Sequence, residues 1–156
     1  MSRILVAIIL SLLVSCALAS GGSADISSDT YLGIKTGGGI TGPFFAVSLS
    51  SSGELSVKKE SLPFADTESG LTTVTYTAQL SPDEIRQLIT LAASVDDFSD
   101  GCGLVGHGTS ARMWLTDAGE SKKFSCDNAP KWPIGANTSR LMQRLNSHLP
   151  DHLQVF

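Results

Sequence analysis

Charged residues are scarce in this sequence, and the basic ones are nowhere clustered. They make up 17% of the 156 residues, with a formal net charge of −4 at pH 7, against about 25% in a typical soluble domain. Basic residues occur singly or in pairs, as in Lys58-Lys59. Proteins that bind nucleic acids concentrate such residues on one face to neutralise phosphates. The sequence therefore predicts no nucleic-acid partner.

Long hydrophobic runs are also missing. The longest near the N-terminus, residues 4–14, is apolar apart from Ser11 and is far shorter than the ~20 residues that a membrane-spanning helix needs. It follows Arg3 and precedes small residues, which is the order of a secretory signal. We therefore predict that residues 1–15 are a signal peptide and that the protein is exported.

Cysteine occurs three times, and the first copy directly follows the apolar run. Residues 13–16, LVSC, have the form of a bacterial lipobox, in which the thiol of Cys16 is lipidated and becomes the new N-terminus. Residues 17–19, ALA, offer an ordinary cleavage site instead, which would release a soluble protein. We predict lipidation of Cys16 and a membrane-anchored lipoprotein facing the periplasm or the cell exterior, with soluble secretion after Ala19 as the alternative.

The other two cysteines, Cys102 and Cys126, lie in the exported part of the chain. Lipidation of Cys16 leaves them as an even pair in an oxidising compartment, where thiols are usually joined. A disulfide between them would stabilise a small domain by on the order of 3 kcal/mol, because closing this loop restricts the unfolded chain. We predict a disulfide between them, and a catalytic thiol is the competing interpretation.

The pattern along the chain predicts one α+β domain. Residues 16–30 are small and polar after the cysteine, which is typical of a lipid anchor followed by a flexible spacer. Residues 31–156 have the length of a single domain. Alternating apolar and polar residues predict strands at 31–36, 43–50, 55–59, 71–80, 111–116 and 121–126.

Two helices complete the predicted fold. Ser81, Pro82 and the acids that follow form a helix start, and apolar residues at helical spacing extend the helix over 82–94. A second helix is predicted over about 138–149, where Pro150 ends it. We expect a small antiparallel sheet of hairpins packed against one main amphipathic helix, plus a C-terminal helix.

No pattern predicts a cofactor, a metal or a catalytic group. Residues 37–42 match G-x-G-x-x-G, but a strand follows instead of the helix that would hold a pyrophosphate. His148 and His152 have helical metal-pair spacing, but Pro150 falls between them and a zinc site needs further ligands. An envelope enzyme using the loop around His107, and a purely structural envelope lipoprotein, remain as alternatives.

The glycine-rich turn and the first helix together resemble a known family. The order KTGGGITG at 35–42, an alternating strand, and LSPDEIRQLITLA at 80–92 is similar to the emfourin-like proteins over residues 33–98. These small bacterial proteins carry a G-G-F-x-G hairpin followed by an L-S-x-x-E helix, and Ile40 stands where they usually have an aromatic residue. Their named member inhibits thermolysin-type metalloproteases, so the resemblance implies a protease as the protein partner.

Taken with the export signal, these features predict a non-catalytic binding domain with protease inhibition as its specific activity. The turn exposes main chain at four glycines, and rigid loops lose little entropy on binding. Phe44 and Phe45 are adjacent in a strand, so one can enter the core while the other faces out. The expected contact residues are Gly37, Gly38, Gly39, Ile40, Phe44 and Phe45. The alternative is that these residues only build the first hairpin.

Overall fold

The computed structural model describes residues 26–38, 42–61, 72–100, 102–103, 105–129, 132–133 and 135–155. These residues form six strands: β1 (Tyr31–Gly38), β2 (Phe44–Ser50), β3 (Glu54–Ser61), β4 (Thr72–Gln79), β5 (Thr109–Asp117) and β6 (Glu120–Ala129). They also form helices α1 (Pro82–Ala93) and α2 (Ala136–Asn146) and a short 3-10 helix, Asp151–Leu153. The mixed α+β class predicted from the sequence is confirmed.

All the strands belong to one antiparallel sheet with the order β4-β3-β2-β1-β5-β6. The chain therefore forms a four-stranded meander, β1–β4, and a hairpin, β5–β6. Strand β5 pairs with the side of β1 that β2 does not occupy. The sheet dominates the fold more than the sequence predicted. The reason is that the two hairpin regions, which the sequence indicates separately, join along β1 into one surface.

Helix α1 begins where its sequence predicts. The Ser81 hydroxyl accepts a hydrogen bond from the Glu84 backbone N–H at 3.4 Å, and the Glu84 carboxylate accepts one from the Ser81 N–H at 2.8 Å. Such a capping box satisfies N–H groups that have no partner inside the helix, and a serine cap is worth about 1 kcal/mol. The apolar stripe buries Ile85, Leu88, Ile89 and Ala92.

The core lies between one face of the sheet and the helices. Alternate residues of the central strands are buried there, including Leu32 and Ile34 of β1 and Met113 of β5. They form one apolar cluster with the buried stripes of α1 and α2. Antiparallel sheets commonly pack one face and leave the other to solvent, and this sheet has that arrangement.

Residues 26–30, which the sequence assigned to a flexible spacer, lie against the sheet. Ile26 packs on the core cluster. Asp29 accepts a hydrogen bond from the Gly119 N–H at 2.8 Å, and the Thr30 hydroxyl donates to Asp117 at 2.9 Å. The composition of this segment is typical of a linker, but these contacts with the β5–β6 turn hold it in place. The ordered domain therefore begins at least five residues before residue 31.

Candidate binding surface

The β1–β2 hairpin closes by two backbone hydrogen bonds. The Gly38 N–H donates to the Pro43 carbonyl at 3.3 Å, and the Gly42 N–H donates to the Gly38 carbonyl at 2.6 Å. A side chain on Gly42 would overlap the backbone of Gly38, so the close approach of the two strands requires glycine here. Gly39 and Ile40 lie outside the described residues, and their predicted contacts with a partner remain a prediction.

Phe44 and Phe45 point to opposite sides of the sheet, as their adjacency in a strand predicts. Phe45 is 8% exposed and belongs to the core, whereas Phe44 is 42% exposed. Phe45 therefore anchors the hairpin in the core, and its predicted contact with a partner remains a prediction. Of the two phenylalanines, only Phe44 presents its ring to solvent.

The outward side of the sheet, which we call the open face, carries aromatic and basic side chains. The strand register places Phe44 of β2, Tyr31 and Lys35 of β1, and Trp114 and Arg112 of β5 on this side. Both α-helices of the described chain pack on the other side, against the buried cluster. The open face was not predicted as a unit, because its residues come from strands far apart in sequence.

Two aromatic rings of the open face lie across glycines of β1. A side chain on Gly33 would come within 2.8 Å of the Tyr31 ring, and one on Gly37 within 2.7 Å of the Phe44 ring. The missing side chains let both rings rest on the backbone while one side of each stays accessible, since Tyr31 and Phe44 are each 42% exposed. Along a strand, four residues span about 14 Å, which is the approximate separation of the two glycines.

A shallow cleft of about 340 Å³ lies beside the Phe44 ring, between β1 and β3. Phe44, Lys35, Ala46, Lys58 and Glu60 line it on the open face. Ala46 stands opposite Lys35 on one side and Lys58 on the other. Its small side chain therefore leaves a depression between two longer basic ones.

The charges on the open face are partly balanced within the domain. Lys35 stands opposite Arg112, and like charges in directly opposed positions repel. Arg112 forms an ion pair with Asp127 at 2.9 Å, and the Lys35 ammonium lies 5.8 Å from the centre of the Trp114 ring. The Arg112 guanidinium also holds the pKa of Asp127 below its ordinary value, chiefly through the hydrogen bond between them.

Cys102 and Cys126 form the predicted disulfide, with their Cα atoms 5.3 Å apart. Two further contacts hold the same loop to β6: the Ser99 hydroxyl donates to the Ser125 carbonyl at 2.7 Å, and the Gly103 N–H donates to the Asp127 carbonyl at 2.6 Å. The disulfide lies beside the core and outside the open face. Its role in this structure is to fix the loop before β5.

The enzyme alternative depends on His107, in the loop before β5. His107 is exposed. Three clefts of the described chain lie elsewhere: one on the open face, one beside Arg86 and Arg144, and one beside Ile26 and Asp117. Among the described residues, no group of three or more His, Cys, Asp or Glu side chains could hold a metal ion.

The described residues do not include the predicted membrane anchor. Cys16 and the signal segment lie outside the described residues. Within the described residues, none of the helices has the length and apolar character required to cross a membrane. Lipidation of Cys16 therefore stays a prediction.

Comparison with other proteins adds no further assignment. None of the known protein-family models matches the chain, and no curated protein shows significant sequence similarity to it.

Proposed function

We propose that this protein is an exported, lipid-anchored binding domain that holds another protein against the open face beside the β1–β2 hairpin. The observation that carries this proposal is the pair of half-exposed rings, Tyr31 and Phe44, seated on Gly33 and Gly37 of one strand. Exposed aromatic side chains on a rigid support are the typical anchors of protein interfaces.

The surroundings of these rings also favour binding. Aromatic residues and arginine are enriched where interfaces gain most of their affinity, and Trp114 and Arg112 lie on the same face. Strands fixed on both sides by neighbours lose little conformational freedom when a partner binds. The open face therefore offers a preorganised surface.

Protease inhibition is the specific activity that we propose, and its support is the resemblance to the emfourin-like proteins. In the described part of the hairpin that carries this resemblance, β2 begins at Phe44, two residues after Gly42, and the Phe44 ring is exposed. A thermolysin-type metalloprotease is the corresponding partner. Binding would block the protease without any chemistry on the part of this domain.

The test is inhibition of a thermolysin-type protease by the purified protein. We expect inhibition at a near-stoichiometric ratio without rapid digestion. Phe44→Ala should weaken it at least tenfold, because truncating an anchor aromatic typically costs 2 kcal/mol or more, roughly 30-fold in affinity. Altering Gly39 or Ile40 should weaken it as well. The melting temperature should change little, since Phe44 is exposed.

Val105→Ala is the matched control, because Val105 is an exposed apolar residue of the loop before β5 and outside the open face. It should leave inhibition unchanged. If the wild-type protein neither binds nor slows such proteases, the inhibitor proposal is wrong. If Phe44→Ala inhibits as well as the wild type, the open face is not the contact surface.

A further inference from the structure

The two edge strands of the sheet differ in how they are protected from pairing with another chain. Unpaired edges are templates for strand addition, and natural proteins block them with lysines, bulges or covering contacts. The β6 edge has all three: Lys122 and Lys123, a register shift opposite Thr109 and Ala111, and a hydrogen bond from Lys122 to the Ala93 carbonyl at 3.2 Å.

Among the residues that the structure describes, the β4 edge has none of these protections. Its sequence, TTVTYTAQ, contains no charged residue, no proline and no glycine, and its pairing with β3 runs without a register shift over all eight residues. Among the residues that the structure describes, β3 is its only strand neighbour. Val74 of this strand is 38% exposed, one of few large apolar side chains with that much exposure. Within the described part of the chain, this edge is therefore open to strand addition.

The threonines of β4 are placed symmetrically about Thr75, with one apolar residue on each side of it. Residues 73–77 read T-V-T-Y-T, so two copies running antiparallel about a twofold axis at Thr75 would place Thr73 opposite Thr77 and Val74 opposite Tyr76. Threonine pairs and pairs of an aromatic with a β-branched residue are the favourable cross-strand combinations. Every position in this stretch would face such a partner.

We propose that β4 is a homodimerisation strand, which pairs antiparallel with β4 of a second copy about Thr75 and joins the two sheets into one of twelve strands. A twofold interface must be complementary to itself. β4 meets that requirement for two reasons. It carries no charged residue that would repel the same residue of the second copy, and the twofold axis places compatible side chains opposite each other. Exposed Val74 becomes covered by Tyr76 of the second copy. This proposal concerns a different surface from the open-face contact and does not depend on the proposed function.

The register can be tested by thiol cross-linking of the full chain carrying Cys16→Ser, so that no lipid brings copies together. Thr75→Cys places two thiols directly opposite each other, where side chains of opposed residues lie about 5 Å apart. Thr73→Cys is the matched control, because its two thiols would lie about 14 Å apart along the strand, beyond reach of a disulfide. Both threonines are exposed.

We expect Thr75→Cys to form a covalent dimer under mild oxidation at least tenfold faster than Thr73→Cys. Equal rates would mean random collision and would overturn the proposed register. A Cys16→Ser chain that sediments as a monomer up to hundreds of micromolar would overturn the dimer itself. That second outcome would also be seen if β4 accepts the strand of an unrelated protein instead.

A charge substitution separates dimerisation from folding. Thr75 stands opposite Lys58 in β3, so Thr75→Glu gains an opposite charge within its own sheet but faces a second glutamate across the twofold axis. We expect the dissociation constant to rise at least tenfold with little change in melting temperature. Thr90→Glu, at an exposed position of α1, adds the same charge elsewhere and should leave the dimer intact. A Thr75→Glu variant that dimerises like the wild type would contradict the proposal.

Discussion

The carboxylate of Asp97 accepts two hydrogen bonds from Thr138, one from its backbone N–H at 2.9 Å and one from its hydroxyl at 2.7 Å. It accepts a third from the Asn137 N–H at 2.7 Å. The N-cap residue of α2, Gly135, provides no side-chain cap, so Asp97 takes that role from the segment that follows α1. A side chain on Gly135 would overlap the Asp97 carboxyl group, which explains the glycine.

Removing this carboxylate should destabilise the domain. Asp97→Ala leaves the first N–H groups of α2 without their acceptor, and loss of a helix cap costs about 1–2 kcal/mol. We expect the free energy of unfolding in urea to fall by about that amount. Asp100→Ala, at an exposed position of the same loop, should change it by less than about 0.5 kcal/mol. Equal effects of the two substitutions would contradict the capping role.

Acid should weaken the domain in part through His148. Its side chain is only 11% exposed, its Nδ1 lies 3.7 Å from the Glu84 carboxylate, and its Nε2 is buried with no hydrogen-bond partner among the described residues. Burial lowers the pKa of His148, while the nearby Glu84 raises it and Arg144 lowers it further. The folded state therefore binds a proton less readily than the unfolded state.

Because the pKa of His148 is depressed in the folded state, neutral His148 contributes to the free energy of unfolding. This contribution is complete well above about pH 6.5, the ordinary histidine pKa, and it is lost as the pH falls below that value. We expect the melting temperature to drop between pH 7.5 and 5.5, and His148→Gln to reduce that drop. His152→Gln, at an exposed position, is the control and should leave the drop unchanged. Parallel curves for wild type and His148→Gln would rule this origin out.

The disulfide should contribute a large share of the stability. Cys102 and Cys126 are 24 positions apart, and closing a loop of that length restricts the unfolded chain by on the order of 3 kcal/mol. The double variant Cys102→Ala/Cys126→Ala should lose about this much free energy of unfolding. Reducing agent should destabilise the wild type and leave the double variant unaffected. Two alkylatable thiols in protein from the periplasm would show that the bridge does not form.

Lipidation of Cys16 is tested by partitioning. Expressed in a bacterium, the wild-type protein should enter the detergent phase, because a lipidated N-terminus carries acyl chains with a large apolar surface. Cys16→Ser should remain in the aqueous phase. The mass of the mature N-terminal peptide is the decisive measurement, and a chain that starts at Ser20 would contradict the prediction.

The elements that sequence reasoning predicted are those whose signals are local. The Ser81–Glu84 start of α1 and the alternation of β2 depend on residues within a few positions of one another, and both were predicted close to their observed bounds. The cysteine pair was predicted from the compartment and the even count. Such features require no knowledge of the tertiary structure.

The features that sequence reasoning missed depend on contacts between distant segments. Asp97 follows α1 in the sequence, but its carboxylate caps α2, which starts about 40 residues later. Nothing near Asp97 in the sequence indicates that partner. The sequence likewise did not predict a role for Gly33, because that role depends on the Tyr31 ring that lies across it. A Gly135 without a capping side chain of its own was the one local signal that could have indicated a cap from elsewhere.

The docking of residues 26–30 on the β5–β6 turn fixes the end of the sheet at which the N-terminal segment joins the domain. With a lipid on Cys16, the ten residues up to Ile26 span at most about 35 Å when fully extended. If Cys16 is lipidated as predicted, the Asp29–Gly119 hydrogen bond would place the attachment point of this tether at the β5–β6 turn. β1 runs away from that turn to Gly38, a distance of about 25 Å for a strand of eight residues. The glycine-rich hairpin would thus be the part of the domain presented outward, where an approaching protein meets it first.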